Sequence, residues 1–437
     1  MNIKQLYQCF IESKGISTDT RKDLKGTLFF ALKGDNFNGN LFAAKALEQG
    51  ANYVVADELA DVSLVEKFGE RFILVPDTLK TLQELAAYHR QQFNCPVLAI
   101  TGSNGKTTTK ELIAAVLSQK FKTYYTPGNW NNHFGIPQTL LSVGKDAEFI
   151  VIEMGANHQG EIASYCEYVQ PDFGLITNVG MAHTEGFGGF DGVVKGKTEL
   201  YQDIAARQGK LFVCTDHAIL MDKSSMVKDR IFYGLAPKAD CRGHIEKSEG
   251  EMLSVYYETK QTLIQTQLVG DYNFENVMSA ICIGQYFGVE IEKIKDAIES
   301  YIPSSNRSQK ISYGSNTVIL DAYNANPSSM NEALKNFEKI QAPNKMVILG
   351  QMMELGIYSD EEHRKIAKTV EAMPFSKKVF VGEGFSFLKN NTSVVYFENS
   401  GELKIWFQQQ DLKQHYILVK GSRKNKLEEI LTQTNLV

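Results

Sequence analysis

A glycine-rich segment, Thr101-Gly-Ser-Asn-Gly-Lys-Thr-Thr-Thr109, carries the residue types that bind a polyphosphate. Its small residues let backbone N–H groups turn inward, and the start of the following helix favours an anion. Lys106 would reach the β and γ phosphates, and the Thr107 hydroxyl would ligate magnesium. The match is only G-x-x-G-K-T, because Ile100 stands five residues before Gly105. An ordinary strand-to-helix turn is the alternative, and the segment alone fits a GTPase switch, a kinase or a ligase equally.

A carboxylate and two asparagines stand at the ends of elements, where they could serve a bound nucleotide. Glu153 ends an apolar strand, so its carboxylate could hold a divalent cation at the sheet edge or could simply be solvated. Asn273 and Asn276 start a helix, where asparagine is commonly a cap. Spacing alone leaves these alternatives open.

Polar residues also follow two strands in the last third of the sequence. Asp321 ends an apolar run and could accept hydrogen bonds from a ribose, with Tyr323, Asn324 and Asn326 along the adenosine side. A plain turn is the alternative there, since proline and serine come next. Lys420 and Arg423 could hold a carboxylate or a phosphate, although a basic surface loop explains them equally well.

The elements that position these residues alternate in type, which indicates an α/β protein. A buried strand at 97–101 and a helix at 106–119 flank the glycine-rich segment, and further strands are predicted at 149–153, 174–178 and 210–214. The run 252–269 predicts an antiparallel hairpin around Thr259-Lys-Gln. Five later strands, separated by helices, predict a second open sheet: 317–321, 346–350, 378–381, 394–397 and 416–420.

Two breaks divide the chain. A helical pattern ends at Phe93, and Pro96 prevents its continuation. Proline and serines interrupt another helix near Tyr301. We therefore predict three domains, at residues 1–94, 95–306 and 307–437, which are called the N-terminal, central and C-terminal segments below.

Composition excludes several classes of protein. With 437 residues, 43% hydrophobic and 22% charged, the chain has ample material for buried cores. A net charge of −5 supplies no general field for nucleic acid, and no apolar run is long enough to cross a bilayer. The N-terminus lacks a signal peptide pattern and the six cysteines form no C-x-x-C pair, so we expect a cytoplasmic protein and give the cysteines no role. The sequence does not fix the oligomeric state, for which we expect a monomer.

The shortened phosphate motif and several distant motifs together resemble the Mur ligase family. The quoted motifs are Gly128-Asn-Trp-Asn-Asn-His-Phe-Gly-Ile-Pro137, Ile152-Glu-Met-Gly-Ala156, Ala182-His-Thr-Glu-Gly-Phe-Gly188 and Val419-Lys-Gly-Ser-Arg423. The resemblance extends over all three segments. It implies a small N-terminal α/β domain that binds UDP, a central P-loop ATPase domain with a parallel sheet, and a C-terminal Rossmann-like α/β domain.

One motif points to a branch of the family. Asp321-Ala-Tyr-Asn-Ala-Asn-Pro-Ser-Ser-Met330 is similar to the signature of members that join D-alanyl-D-alanine to UDP-N-acetylmuramoyl-tripeptide. The resemblance implies these two substrates, but it leaves open whether the third residue of the tripeptide is lysine or diaminopimelate. Gln351 stands where the family usually has aspartate, and Leu320 replaces one of a commonly doubled acidic pair.

The resemblance also implies roles for individual residues. Lys197 matches the lysine that many members carry as a carbamate, although its charged surroundings alone favour a solvated lysine, and Lys195 is a close competitor. Glu354 and His363 are weaker candidates for residues of the site. The implied catalytic residues are Lys106, Lys197, His183 and Glu153, and the implied ligands of two Mg²⁺ ions are Thr107, Glu153, His183 and carbamylated Lys197. The implied nucleotide-binding residues are Gly102, Ser103, Asn104, Gly105, Lys106, Thr107, Thr108, Asn273, Asn276, Arg307, Asp321, Tyr323, Asn324 and Asn326. The implied substrate-binding residues are Thr20, Arg21, Lys33, Asn129, Asn132, Lys420 and Arg423.

The implied reaction is ATP-driven amide formation through an acyl phosphate, with the C-terminal segment closing on the central one about a hinge near Asn306. Three alternatives remain: a MurE-like or folylpolyglutamate-type ligase, a nucleotide-dependent switch, and a nucleotide-binding paralogue without ligase activity. The Tyr323-Asn-Ala-Asn-Pro327 motif argues against the first, and the additional segments argue against the second.

Overall fold

The computed structural model describes residues 1–34, 36–59, 63–247, 251–303 and 306–432. Its strands are β1 (Ile16–Ser17), β2 (Leu28–Phe30), β3 (Lys33–Gly34), β4 (Phe37–Asn38), β5 (Tyr53–Ala56), β6 (Phe72–Leu74), β7 (Val97–Thr101), β8 (Thr123–Tyr125), β9 (Phe149–Glu153), β10 (Phe173–Ile176), β11 (Lys210–Cys214), β12 (Asp229–Gly234), β13 (Cys241–Lys247), β14 (Met252–Tyr257), β15 (Thr262–Val269), β16 (Gln309–Tyr313), β17 (Asn316–Asp321), β18 (Lys345–Gly350), β19 (Lys377–Val381), β20 (Val395–Phe397) and β21 (Tyr416–Lys420).

The α-helices lie between these strands. They are α1 (Ile3–Ile11), α2 (Ala43–Glu48), α3 (Ser63–Phe68), α4 (Thr78–Arg90), α5 (Lys106–Leu117), α6 (Gly135–Leu141), α7 (Glu161–Val169), α8 (Thr184–Phe187), α9 (Phe190–Ala206), α10 (Ala218–Lys223), α11 (Phe274–Tyr286), α12 (Ile291–Glu299), α13 (Pro327–Lys339), α14 (Ser359–Ala372) and α15 (Ser400–Gln409). Within the described part of the chain, none of them combines the length and apolar character needed to span a membrane.

Contacts divide the chain into two compact units. Unit 1 comprises residues 1–100, 121–155 and 161–174, and unit 2 comprises residues 101–120, 156–160 and 175–437. These units do not test the predicted domain boundaries, which stay predictions. Two residues of the second predicted break, Ser304 and Ser305, lie outside the described residues.

Unit 1 contains a four-stranded parallel sheet in the order β1-β2-β5-β6, together with the parallel strands β7-β9-β8. Helix α4 packs against α6 and α7 because its buried positions recur at helical spacing, as at Leu82, Leu85 and Ala86. The buried Arg90 at its end donates hydrogen bonds to the carbonyl oxygens of Val169 and Gln170, at 3.1 and 3.2 Å. These bonds fix α4 to residues that follow it far along the chain.

In unit 2, strands β11 to β15 are neighbours in sequence order. β11, β12 and β13 are parallel, whereas β14 and β15 form the antiparallel hairpin that the sequence predicts. Helices α11 and α12 pack on α5, the helix that follows the glycine-rich segment. These two helices therefore support α5.

The C-terminal segment forms a six-stranded sheet in the order β16-β17-β21-β18-β19-β20, and only β16 is antiparallel. Its strands are buried on both faces: along β17, Val318 and Leu320 pack into one apolar cluster while Ile319 packs into another. Continuous apolar strands with helices on both sides are typical of a doubly wound fold. The predicted α/β architecture and all five predicted strands of this sheet are confirmed; strand β16 was not predicted.

Candidate functional site

The segment Gly102–Thr108, called the phosphate loop below, has a backbone that only glycine permits at two points. Gly102 and Gly105 have φ angles of +144° and +79°. A Cβ atom on Gly102 would lie 2.0 Å from Thr177 Oγ1, and one on Gly105 would lie 2.6 Å from Asn276 Oδ1. The loop therefore passes too close to its supports for any larger residue, which is the close backbone approach a phosphate cradle requires.

The cation of the phosphate loop is held by the loop itself. Lys106 Nζ donates to the carbonyl oxygens of Gly102 and Ser103, at 2.6 and 3.2 Å. Thr107 beside it is buried and Thr108 is partly buried. The ammonium therefore bonds carbonyl oxygens of its own loop, which phosphate oxygens can replace.

Two residues directly after β10, Thr177 and Asn178, hold the phosphate loop in place. Sequence reasoning did not single them out. Asn104 N donates to Asn178 Oδ1 at 2.9 Å, and Thr177 Oγ1 donates to Asn104 O at 2.6 Å. Ser103 Oγ bonds both O and N of Gly180, at 3.2 and 2.9 Å. Their position directly after a buried parallel strand is a signal that could have identified them.

Asn273 and Asn276 lie beneath the phosphate loop, in a chain of buried amides. Asn276 accepts from Thr109 Oγ1 and donates to Asn273 Oδ1, both at 2.9 Å. Asn273 in turn donates to Val269 O at 2.9 Å. This geometry makes the two asparagines supports of the loop; their contact with a nucleotide stays a prediction.

The C-terminal segment contacts the phosphate loop directly. Asn326 Nδ2 donates to Asn104 Oδ1 at 2.7 Å, and Met181 N donates to Ser328 Oγ at 3.2 Å. Asn326 also caps α13 through Ser329 N, at 2.9 Å, and Pro327 at the first helical position suits that cap. One asparagine therefore both begins the helix and bridges to the loop.

Asp321 and Lys420 form an ion pair at the ends of neighbouring parallel strands. They are partners in the register of β17 and β21, and Lys420 Nζ lies 2.5 Å from Asp321 Oδ2, with the lysine side chain only 3% exposed. Ser308 N donates to Asp321 Oδ1 at 3.2 Å. In this arrangement Lys420 binds Asp321, so any contact of either with a substrate or a ribose requires a new partner.

Tyr323 lies between two of the predicted ligand-binding arginines. The guanidinium carbon of Arg307 lies 3.6 Å from the centroid of its ring, and that of Arg423 lies 5.4 Å from it. Such cation–π contacts bring two positive charges to one edge of the segment. Asn324 is exposed beside them, and its Oδ1 accepts from Ala325 N at 2.9 Å.

His183 contacts a residue of the C-terminal segment through its Nδ1 atom. Its partner is the carboxylate of Glu354, whose pKa this contact lowers. Both residues adopt left-handed backbone conformations, with φ angles of 54° and 62°. Such conformations cluster at functional sites, and the contact raises Glu354 from a weak sequence candidate to a residue of this site.

The structure distinguishes Lys197 from its competitor. Lys197 is 1% exposed, and its Nζ donates to Ala156 O at 2.9 Å and lies 5.0 Å from the centroid of the Phe187 ring. Lys195 is exposed. The apolar positions Val193, Leu200 and Ile204 of α9 are also buried, so helical spacing could have identified Lys197 as the inward lysine.

In unit 1, Glu153 is fully buried at the end of β9 rather than solvated. It accepts from Asn131 Nδ2 at 2.7 Å, and its own N–H donates to Thr126 Oγ1 at 2.9 Å. Asn132 Oδ1 accepts from Phe134 N and Gly135 N, at 3.1 and 2.9 Å, so it shapes the start of α6. Asn129 is exposed, and binding of substrate by either asparagine stays a prediction.

The predicted cations of the N-terminal segment are both bound to carboxylates. Arg21 makes a two-pronged ion pair with Asp19, at 2.8 and 2.9 Å, and the pair lowers the pKa of Asp19. Lys33 Nζ lies 2.9 Å from Asp57 Oδ1 and 2.7 Å from Glu58 Oε1, which raises the lysine pKa. Thr20 beside Arg21 is partly buried.

The two departures from the family pattern have structural explanations. Leu320 is buried in the apolar cluster on one face of the C-terminal sheet, where a carboxylate would be desolvated. Gln351 Oε1 accepts from Gly384 N at 2.9 Å, a bond that positions the following loop. His363 is also structural, because its two ring nitrogens bond Met352 N and Ser359 O, at 2.9 and 2.7 Å.

The residues present fit a nucleotide and a magnesium ion on two observations. The glycine positions of the phosphate loop have no space for a Cβ atom. The Thr107 hydroxyl in unit 2 and the Glu153 carboxylate in unit 1 are oxygen ligands of the type that magnesium takes, and a role for His183 as a ligand stays a prediction. Lys197 fits a metal only as a carbamate, since a protonated amine has no lone pair to donate.

Comparisons with known proteins identify the family of the chain. Three family models match successive parts of the chain: "Mur ligase family, catalytic domain" over residues 12–90, "Mur ligase middle domain" over 100–284, and "Mur ligase, glutamate ligase domain" over 306–423. UDP-N-acetylmuramoyl-tripeptide–D-alanyl-D-alanine ligases of Escherichia coli (strain K12) and Bacillus subtilis (strain 168) are each 32% identical, over 95% of this chain and 92% of theirs. A crystal structure of MurF from Acinetobacter baumannii is 29% identical with a TM-score of 0.86, covering 98% of this chain and 97% of that one. The chain therefore belongs to the Mur ligase family and is of its MurF type.

Proposed function

We propose that the chain uses ATP to join D-alanyl-D-alanine to UDP-N-acetylmuramoyl-tripeptide, which gives the pentapeptide precursor of peptidoglycan. The observation that carries the proposal is the 2.7 Å hydrogen bond between Asn104 and Asn326, which joins the phosphate loop to the segment matching the glutamate ligase domain. The relatives named for this same ligation match almost the whole chain, and they set the choice of substrates.

The reaction needs ATP because a carboxylate is a poor electrophile. The terminal carboxylate of the tripeptide attacks the γ phosphorus, which releases ADP and gives an acyl phosphate. The D-alanyl-D-alanine amine then attacks the acyl carbon, the amide forms, and phosphate leaves. No protein nucleophile takes part, so catalysis consists of positioning and electrostatic stabilisation.

The phosphate loop supplies most of that stabilisation. Its N–H groups and the Lys106 ammonium bind the β and γ phosphates, and Lys106 exchanges two loop carbonyls for phosphate oxygens.

The family resemblance nominates Thr107, Glu153, His183 and carbamylated Lys197 as ligands for Mg²⁺. When bound, Mg²⁺ neutralises charge on the transferring oxygens. Mass spectrometry under carbon dioxide trapping tests the carbamate. We expect the added mass on Lys197 and none on Lys195.

We assign adenosine to the side of Tyr323. Arg307 and Arg423 on this ring bring positive charge near the nucleotide, and Asp321 offers acceptors to the ribose.

Asn306 and Ser308, on either side of Arg307, have φ angles of 57° and 50°. This strained segment suits the proposed hinge. Small-angle scattering with an ATP analogue and the UDP-tripeptide should show a smaller radius of gyration, and an unchanged radius would contradict closure.

A cavity of about 700 Å³ in the C-terminal segment fits the incoming dipeptide. D-Alanyl-D-alanine is a zwitterion, so its site needs both signs of charge. The cavity is lined by the cations Arg364 and Lys424 and by the anions Glu354, Asp360 and Glu383. We assign the dipeptide carboxylate to the cations. Lys424→Gln should then raise KM for D-alanyl-D-alanine and leave KM for ATP unchanged.

Phosphate release decides between this function and its alternatives. It should require the UDP-tripeptide and D-alanyl-D-alanine together, and the product should have the mass of the pentapeptide. Activity with a single amino acid in place of the dipeptide would indicate a MurE-like ligase, and hydrolysis that ignores both substrates would indicate a nucleotide switch. Parallel assays with lysine-containing and diaminopimelate-containing tripeptides identify the third residue.

A further inference from the structure

A cysteine, a histidine and a glutamate of unit 2 lie together on one side of the phosphate loop's supports. Cys214 ends β11, His217 precedes α10, and Glu275 lies in the first turn of α11. One candidate ligand atom from each lies within 4.8 Å of the other two. The Nε2 atom of His217 is 2.7 Å from Oε2 of Glu275. The three residues are called the Cys–His–Glu cluster.

We propose that the Cys–His–Glu cluster binds a zinc-like divalent cation. Thiolate sulfur, imidazole nitrogen and carboxylate oxygen are the ligand types of zinc, whereas magnesium takes oxygen ligands. Cys214 and His217 are separated by two residues, a short chelating spacing, and Glu275 supplies the third ligand from a separate helix. Water completes a tetrahedral set.

The geometry needs only small adjustments to admit the ion. Zinc–ligand distances of about 2.0 to 2.3 Å place the atoms of a tetrahedral set about 3.3 to 3.5 Å apart. The His217–Glu275 contact of 2.7 Å must open by about 0.6 Å, and a pair at the 4.8 Å limit must close by about 1.3 Å, which side-chain rotation supplies. Cys214 is fully buried, while the side chains of His217 and Glu275 are 28% and 27% exposed. An ion can therefore enter from the histidine and glutamate side.

A histidine–carboxylate ion pair alone would explain only part of this arrangement. His244 forms such a pair with Glu258, at 2.9 Å, without a cysteine in the group. The Cys214 thiol donates a hydrogen bond to Asp216 Oδ2 at 3.8 Å, and both Asp216 oxygens also accept from Leu235 N, at 3.0 and 3.2 Å, so metal binding replaces this long thiol bond. Among the described residues, no other three histidine, cysteine or acidic side chains meet the same spacing. The buried thiol is what separates the cluster from an ordinary ion pair.

Cobalt and zinc titrations of the reduced, full-length protein test the proposal. Excess Mg²⁺ is present throughout, so that sites preferring oxygen are filled. We expect a single class of cobalt site with near-ultraviolet thiolate-to-cobalt absorption and the visible bands of a tetrahedral ion, and zinc should displace it. Binding should release the thiol proton, which calorimetry in buffers of different ionisation enthalpy detects. A cobalt spectrum without thiolate absorption would overturn the proposal.

Matched variants locate the ligands. Loss of an outer-shell partner already weakens metal binding by about 10- to 100-fold, so Cys214→Ser, His217→Gln and Glu275→Gln should each weaken cobalt and zinc binding at least that much. Cys282→Ser, a buried cysteine outside the cluster, and His244→Gln should bind as the parent does. Unchanged affinity in Cys214→Ser, or equal loss in Cys282→Ser, would overturn the site. If thermal unfolding shows that Cys214→Ser is misfolded, the two partly exposed ligands, His217 and Glu275, decide the question.

Discussion

Two regions of the chain carry cations that we expect to meet phosphate, and different kinds of groups hold them. Lys106 is held by the carbonyls of its own loop, and that loop is held by neutral amides and hydroxyls. In the N-terminal segment, Arg21 and Lys33 are held by carboxylates. A phosphate that approaches Lys106 can replace these carbonyl oxygens, whereas one that approaches Arg21 competes with the carboxylate of Asp19.

This difference indicates different demands on the two regions. Catalysis requires groups already fixed where charge develops, and the hydrogen bonds between Lys106 and its own loop fix the ammonium in this way. Substrate binding requires selectivity and release, and exposed ion pairs are weak enough to exchange partners. We therefore expect substitutions at the phosphate loop to change kcat strongly, and substitutions at the N-terminal ion pairs to change KM slightly.

The largest effect is expected from Lys106→Met. The substitution removes the ammonium that stabilises the transferring phosphate, so kcat for phosphate release should fall by about 10²- to 10³-fold. Lys120→Met is the matched control, because Lys120 Nζ also bonds two backbone carbonyls, those of Phe287 and Gly288, at 3.0 Å each. The control should keep its activity. Near-normal turnover in Lys106→Met would mean that the Lys106 ammonium does not stabilise the transferring phosphate.

A smaller effect is expected from breaking the bridge between Asn326 and Asn104. Asn326→Ser keeps a good helix cap but is too short to reach the loop, so kcat should fall by about tenfold while stability changes by a few tenths of a kcal/mol. Asn399→Ser is the control: Asn399 caps α15 through Glu402 N, at 3.0 Å, in the same way. Equal kinetics for the two variants would mean that Asn326 acts only as a cap.

The contrast between the regions also explains what sequence could predict. The phosphate loop and the strands at 317–321 and 416–420 were predictable because glycine spacing and unbroken apolar runs are local signals. The Asn104–Asn326 bond joins residues 222 positions apart, and no local pattern encodes it. The ion pairs of Arg21 and Lys33 were equally hidden, since a basic residue beside acidic ones is ordinary surface sequence. The Cys–His–Glu cluster was missed because its third ligand lies 58 residues beyond the histidine.

The pH dependence of stability tests the role of the buried His363 behind the loop that carries Glu354. His363 binds Met352 N in the loop that carries Glu354, and burial lowers the histidine pKa. The unfolded chain therefore takes up this proton first, so stability should decrease as pH falls below about 6.5, by at most about 1.4 kcal/mol per pH unit. His363→Gln, which keeps one donor and one acceptor, should flatten this dependence in denaturant titrations between pH 7 and 5. An unaltered slope in His363→Gln would contradict the assignment.

The smallest effect is expected where a carboxylate competes with the substrate. Asp19→Asn frees Arg21 for the diphosphate of the UDP substrate, so KM for the UDP-tripeptide should fall by about two- to fivefold, the range of an exposed ion pair. Arg21→Gln should raise the same KM, and KM for ATP should change in neither variant because ATP binds the phosphate loop. Asp203→Asn removes a comparable partner from Arg207, at 2.7 Å, and should leave both constants unchanged. If Asp19→Asn instead raises KM for the UDP-tripeptide, the carboxylate positions Arg21 for the substrate rather than competing with it. Asp19 would then hold Arg21 in position for its ligand, as the loop carbonyls hold Lys106.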